Sequence, residues 1–204
     1  MHIPDGFLTP SVVIVTNVSA TALFVLSAKK VEKYITTERI PVMGLISAFV
    51  FASQLFTIPV IGGTSVHIIG GLLTAIILGP YSAFLVISTV LLLQAFLFGH
   101  GGILTVGANI INMGLFSTFL GYFIYVRLGK KNIAIIIACV ITTILGAVST
   151  SVLLTISGIV SLRISVLMMT ATHLIAGIIE GVVTIAVLKG INRVKPEIIS
   201  LTKI

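Results

Sequence analysis

Seven apolar runs, separated by short basic clusters or Gly/Pro links, fill the chain between Pro10 and Leu188. A bilayer core of about 30 Å takes roughly 20 apolar residues per helix. Runs of this length can be hidden only in lipid. Composition agrees: the 204 residues are 57% hydrophobic and 8% charged, with a mean hydropathy of +1.27, whereas a soluble domain carries about 25% charged residues. The sequence predicts an all-α, polytopic membrane protein forming a single domain over residues 1–204. The net charge of +7 does not mark a nucleic-acid binder, because the basic residues fall between apolar runs and report topology instead.

The expected spans are Pro10–Ala28, Ile40–Ile58, Ile68–Leu78, Ala83–Phe98, Ile103–Val126, Ile133–Ile156 and Ser165–Leu188. Pro41 suits a helix's first turn, and Gly79-Pro80 stops the short third span. Seven spans put the termini on opposite sides. With the N-terminus outside, 11 of the 12 Lys and Arg residues lie inside and only Arg163 lies outside, so the positive-inside rule predicts N-out, C-in. Cys139 has no second cysteine to pair with and reads as a packed thiol. The first ten residues lack the basic start and apolar core of a signal peptide. The expected division is a polar segment at 1–9, a seven-helix bundle at 10–188 and a cytoplasmic tail at 189–204.

The polar segment opens Met1-His2-Ile3-Pro4-Asp5-Gly6. A terminal amine and the His2 amide nitrogen close a five-membered ring on a metal ion. The same amide and His2 Nδ1 close a six-membered ring. Three nitrogens then lie in one plane, and one more imidazole completes a square. Planar nitrogen coordination favours Ni(II) or Cu(II). Pro4 and Gly6 permit a sharp turn after the chelate, and Asp5 can orient an imidazole or cap a backbone amide. In the predicted topology His2, His67 and His100 fall on the outer side, and His173 lies in the outer half of the last span. His67 follows a Gly-rich link and reads as a ligand or an interfacial histidine. His100, in Gly99-His100-Gly101-Gly102, reads as an entry ligand or a loop residue.

Intramembrane polar residues are costly. Gln54, Gln94, Asn109, Asn112, His173 and Glu180 are either supports that tie the N-terminal segment to the bundle or hydrogen-bonding glue between helices. Gly44, Ala48 and Ala52 form one ridge of small residues, and Gly177 and Gly181 a second. Either ridge can serve internal packing or a partner protein.

The opening Met1–Leu8, Gly63–His67, Leu93–Gly102 and Gly107–Gly114 motifs, with His173 and Glu180, resemble the CbiM/NikM family across essentially the whole chain. These are substrate-capture (S) components of energy-coupling-factor (ECF) transporters for cobalt and nickel. The resemblance implies a seven-helix bundle with the N-terminal segment inserted. It implies a metal held by the Met1 amine, the His2 amide and imidazole, and His67. It further implies work with a transmembrane T component, two cytoplasmic ATPases and often a further small membrane subunit. The Ala48/Ala52 ridge becomes a T-component contact. No Walker motif occurs in these residues. Nickel or cobalt is then cargo, with no organic cofactor. A self-sufficient metal channel or secondary carrier is the competing reading. An intramembrane metalloenzyme is disfavoured, since its site needs an open coordination position.

Overall fold

The computed structural model describes residues 1–60 and 64–200; Ile61, Gly62 and Gly63 of the glycine link lie outside the described residues. Its helices are α1 Pro10–Val31, α2 Arg39–Leu55, α3 Gly71–Leu78, α4 Pro80–Phe98, α5 Val106–Arg127, α6 Asn132–Ile156, α7 Leu162–Val194 and the short α8 Pro196–Ser200. Between α2 and α3 two three-residue strands, β1 Ile58–Val60 and β2 Thr64–Val66, pair antiparallel with Ile58 opposite Val66. That ribbon was not evident in the sequence, where the segment reads only as a turn-rich link.

Each expected run carries a helix. α1, α4, α5, α6 and α7 are long and apolar enough to cross a membrane. α2, with 17 residues, is shorter. The expected third span is shorter still: α3 has eight residues, about 12 Å at 1.5 Å per residue. Its helix starts late because Gly70 takes φ +76, a left-handed conformation in which glycine carries no Cβ penalty. Ile68–Gly70 therefore run outside the helix.

α3 and α4 form the centre. Every residue of α3 is buried, and Leu72, Leu73, Ile77, Phe84 and Ile87 are almost fully shielded. α1 instead exposes Ile14, Val15 and Val18, as a lipid-facing helix does. Within α5, residues Ile110–Leu120 widen to π-helical turns, a geometry frequent near functional sites.

The two ridges of small residues separate cleanly. On α7, a Cβ added at Gly177 would lie 2.7 Å from Val140 Cα, and one at Gly181 2.9 Å from Ile136 Cα. These glycines let α6 and α7 cross at close range. On α2, Gly44, Ala48 and Ala52 are exposed, and a Cβ on Gly44 would meet nothing within 4 Å.

Candidate metal centre

The N-terminal segment is threaded into the bundle by its own backbone. Ile3 donates its N–H to Asn109 Oδ1 at 2.8 Å, and Asn109 Nδ2 donates back to the Ile3 carbonyl at 3.1 Å. That carbonyl also accepts Thr105 Oγ1 at 2.6 Å and the Gly102 N–H at 3.0 Å. Asp5 takes the N–H groups of Ile103, Leu104 and Thr105 at 3.0, 2.9 and 3.2 Å. It caps the turn before α5 and leaves the imidazoles to others. Further along, Thr9 N–H donates to Ser157 Oγ at the end of α6. Gly6 at φ +85 makes the turn between these anchors. Met1, Ile3 and Leu8 are consequently buried. Gly101 permits the close approach: a Cβ there would sit 3.1 Å from His2 Cδ2.

Hydrogen bonds fix which ring nitrogens are free. His2 Nε2 donates to Gln94 Oε1 at 3.1 Å, which leaves Nδ1 as the lone-pair nitrogen. His67 Nδ1 donates to the Ile68 carbonyl at 3.1 Å, which leaves Nε2. Both His2 Nδ1 and His67 Nε2 are buried with no hydrogen-bond partner among the described residues. The two ring centroids are 4.8 Å apart. Buried polar atoms are normally satisfied, so two unpaired lone pairs on neighbouring rings suit an electrophile such as a metal ion.

The electrostatics favour neutral ligands. Burial lowers the Met1 amine from 8.0 to about 6. Burial first, then the charge of that amine, lowers His67 from 6.5 to about 3. His2 is held well below its ordinary range by burial and then by His67, the amine and His100. His100 is lowered by burial and by the amine. Near pH 7 the three imidazoles are therefore neutral, and most of the amine is too.

His100 stacks on His2 with centroids 4.0 Å apart and planes at 26°, so it presents a ring face to its neighbour. Asn112 turns away from the segment: it donates to Thr150 Oγ1 and accepts from Ser149 Oγ. His173 is buried and bonds through Nδ1 to the Met169 carbonyl at 2.8 Å. Glu180 meets the backbone after His67 and makes no bond to the N-terminal segment. Of the polar residues read as supports, Asn109 and Gln94 hold the segment itself, while Glu180 and Gln54 hold the His67 link. Thr105 and Ser157 were missed, because a hydroxyl in an apolar or turn segment carries no distinct sequence signal.

No group of three His, Cys, Asp or Glu side chains gathers at a metal position among the described residues. The nitrogens nearest the two free imidazole positions include those of the buried N-terminal backbone, with Met1 buried beside His2. A cavity of about 540 Å³ opens beside them, lined by Met1, His2, His100 and the α7 residues Met168 and Met169 among others.

A family profile described as the cobalt uptake substrate-specific transmembrane region, CbiM, matches residues 2–198. The chain belongs to the CbiM family. The CbiM fold is matched by a solved transition metal transporter, in truncated form, with TM-score 0.89 and 33% identity, covering 95% of this chain and 99% of that one. The cobalt transport protein CbiM of Thermosipho melanesiensis is 33% identical over 92% of this chain and 85% of its own length. The fused nickel transport protein NikMN of Rhodobacter capsulatus is 31% identical over 98% of this chain and 64% of its own length. The chain thus spans about two thirds of that fused relative. As a CbiM-family member it is a multi-pass membrane protein of cobalt and nickel transport, and a transporter in place of an enzyme.

Proposed function

We propose that this chain is the metal-capture (S) subunit of an ECF-type importer and takes Ni(II) or Co(II) as cargo. The metal is held by four nitrogens: the Met1 amine, the His2 amide, His2 Nδ1 and His67 Nε2. The observation that carries this reading is the pair of orphaned nitrogens on His2 and His67, beside a buried chain terminus. Nδ1 of His2 is the nitrogen that a six-membered chelate with its own amide requires. Gln94 supports that choice by occupying Nε2. The Ile3 amide is already committed to Asn109, so the chelate stops at residue 2. His100 covers the His2 ring and serves entry through the adjoining cavity, and His173 is held within α7 by the Met169 carbonyl.

The functional division follows: residues 1–9 bind, 10–188 form the bundle, and 189–204 face the cytoplasm. The N-terminus is outside, and α2 and α3 make up the seven passes with the five long helices. The exposed face of Gly44, Ala48 and Ala52 contacts a transmembrane T component. Two cytoplasmic ATPase subunits supply the energy. A further small membrane subunit can complete the assembly.

The test is a register shift. One residue added before Met1 moves the amine out of the chelate, and the extended chain should lose nickel. Full retention by that variant would overturn the site. Uptake of labelled metal with and without ATPase subunits separates the ECF role from a self-sufficient carrier.

A further inference from the structure

We infer that Glu180 is a positioning residue for the metal site: from α7 it fixes the stretch of backbone that carries His67. The inference rests on the reading of His67 as a ligand.

Both carboxyl oxygens of Glu180 meet the chain just after His67. Oε1 accepts the Gly70 N–H at 3.0 Å and Oε2 the Ile69 N–H at 3.2 Å. From α2, Gln54 Nε2 donates to the Ile69 carbonyl at 2.8 Å. The peptide units around Ile69 are therefore gripped by α7 on one side and α2 on the other. Gly70 also presses on α2: a Cβ there would lie 2.9 Å from Val50 Cγ2. Val50 is one helical turn from Gln54, and both are fully buried. The imidazole of His67 is in turn locked onto the Ile68 carbonyl. The grip begins two residues from the ligand, so a shift of the Ile69 peptide carries Nε2 with it.

Packing alone does not explain an acid here. A carboxyl group deep in an apolar bundle is costly, and a leucine would fill the space. What leucine cannot do is accept two converging N–H groups where the chain turns into α3. A planar four-nitrogen site needs each ligand within about 0.5 Å of its place. Loss of an outer support of this kind typically weakens metal binding by about 10–100-fold. A loosened His67 also relaxes the plane, which favours ions that prefer a tetrahedron.

The experiment uses the purified full chain in detergent with Ni(II) alone, then Zn(II) in competition, reading affinity and the visible d–d absorption. The variants are Glu180→Ala, Glu180→Gln, Gln54→Leu and His67→Ala. Glu180→Ala should weaken nickel about 10–100-fold, move the d–d band toward that of His67→Ala and narrow the nickel–zinc gap. Glu180→Gln keeps one acceptor and should fall between Ala and wild type, a graded rescue that general destabilisation does not produce. Nickel affinity within about threefold of wild type and an unmoved band in both Glu180 variants would overturn the inference, provided His67→Ala loses metal. If Glu180→Ala fails to fold, Glu180→Gln and Gln54→Leu decide by the same two readouts. Nickel retention by His67→Ala would instead sink the four-nitrogen site itself, and the role of Glu180 with it.

Discussion

The imidazole of His100 lies over that of His2, centroids 4.0 Å apart and planes 26° from parallel. A stacked ring offers its face, so its nitrogens do not share a coordination plane with the ring beneath. His67 differs: its Nε2 is buried, unpaired and close to His2.

His67→Ala should therefore lose nickel far more severely than His100→Ala. The former removes a proposed ligand, and the latter uncovers one side of a site that keeps its proposed donors. Equilibrium dialysis of the two purified variants checks this. Equal, mild losses would remove His67 from the coordination sphere.

Asn109→Leu should undock the N-terminal segment while leaving the bundle folded. It strands the buried Ile3 N–H and removes one of the donors on the Ile3 carbonyl. An unsatisfied buried amide costs about 1–3 kcal/mol. Limited proteolysis within residues 4–9 should accelerate about tenfold or more, since 1.4 kcal/mol is a factor of ten. Unchanged cleavage would show that Asp5 and Thr105 suffice.

Without metal, docking of the segment should weaken as pH falls. The Met1 amine goes from 8.0 undocked to about 6 docked, and His2, carried on the same segment, is lowered from its ordinary range by burial. Between those values the undocked state binds more protons, so stability rises with pH and is lost on acidification. The amine acts first, between pH 8 and 6, and the His2 imidazole follows at lower pH. Mobility of a spin label at Phe7→Cys should rise through this window. A label equally immobile at pH 8 and pH 5 would contradict the burial of these groups.

The proposed four-nitrogen donor set ranks the ions. Ni(II) gains most from a nitrogen plane and offsets loss of the amide proton; Zn(II) prefers a tetrahedron. The expected order is Ni(II), then Co(II), then Zn(II), while Cu(II) can exceed all three in raw affinity. Competition titrations give the order directly. Zinc matching nickel would exclude a planar site.

Gly177→Leu should destabilise the bundle, because its Cβ meets the α6 backbone at Val140. Overpacking of this kind costs about 1–3 kcal/mol. Gly44→Leu faces open space and should leave thermal unfolding of the isolated chain unchanged. Matching losses from both would put Gly44 in an internal contact.

The sequence by itself determined the class of fold, and it put an imidazole and Pro-Gly turn residues in the first six positions. Hydropathy is a local property of the chain, so apolar runs mark membrane helices wherever they pack. The proposed chelate is local in the same way, since its amine, amide and imidazole come from two adjacent residues. Only the tertiary structure decided which nitrogens are free. His2 is set by Gln94, 92 residues away, and Ile3 by Asn109, 106 residues away. It also separated Asn112 from Asn109, although three residues on one helix face made them look alike, because the turns between them widen. The small ridges of α2 and α7 are alike in composition. One is buried against Ile136 and Val140 and the other faces outward. Such differences come from what a neighbouring helix brings into contact, and no run of residues records its neighbours.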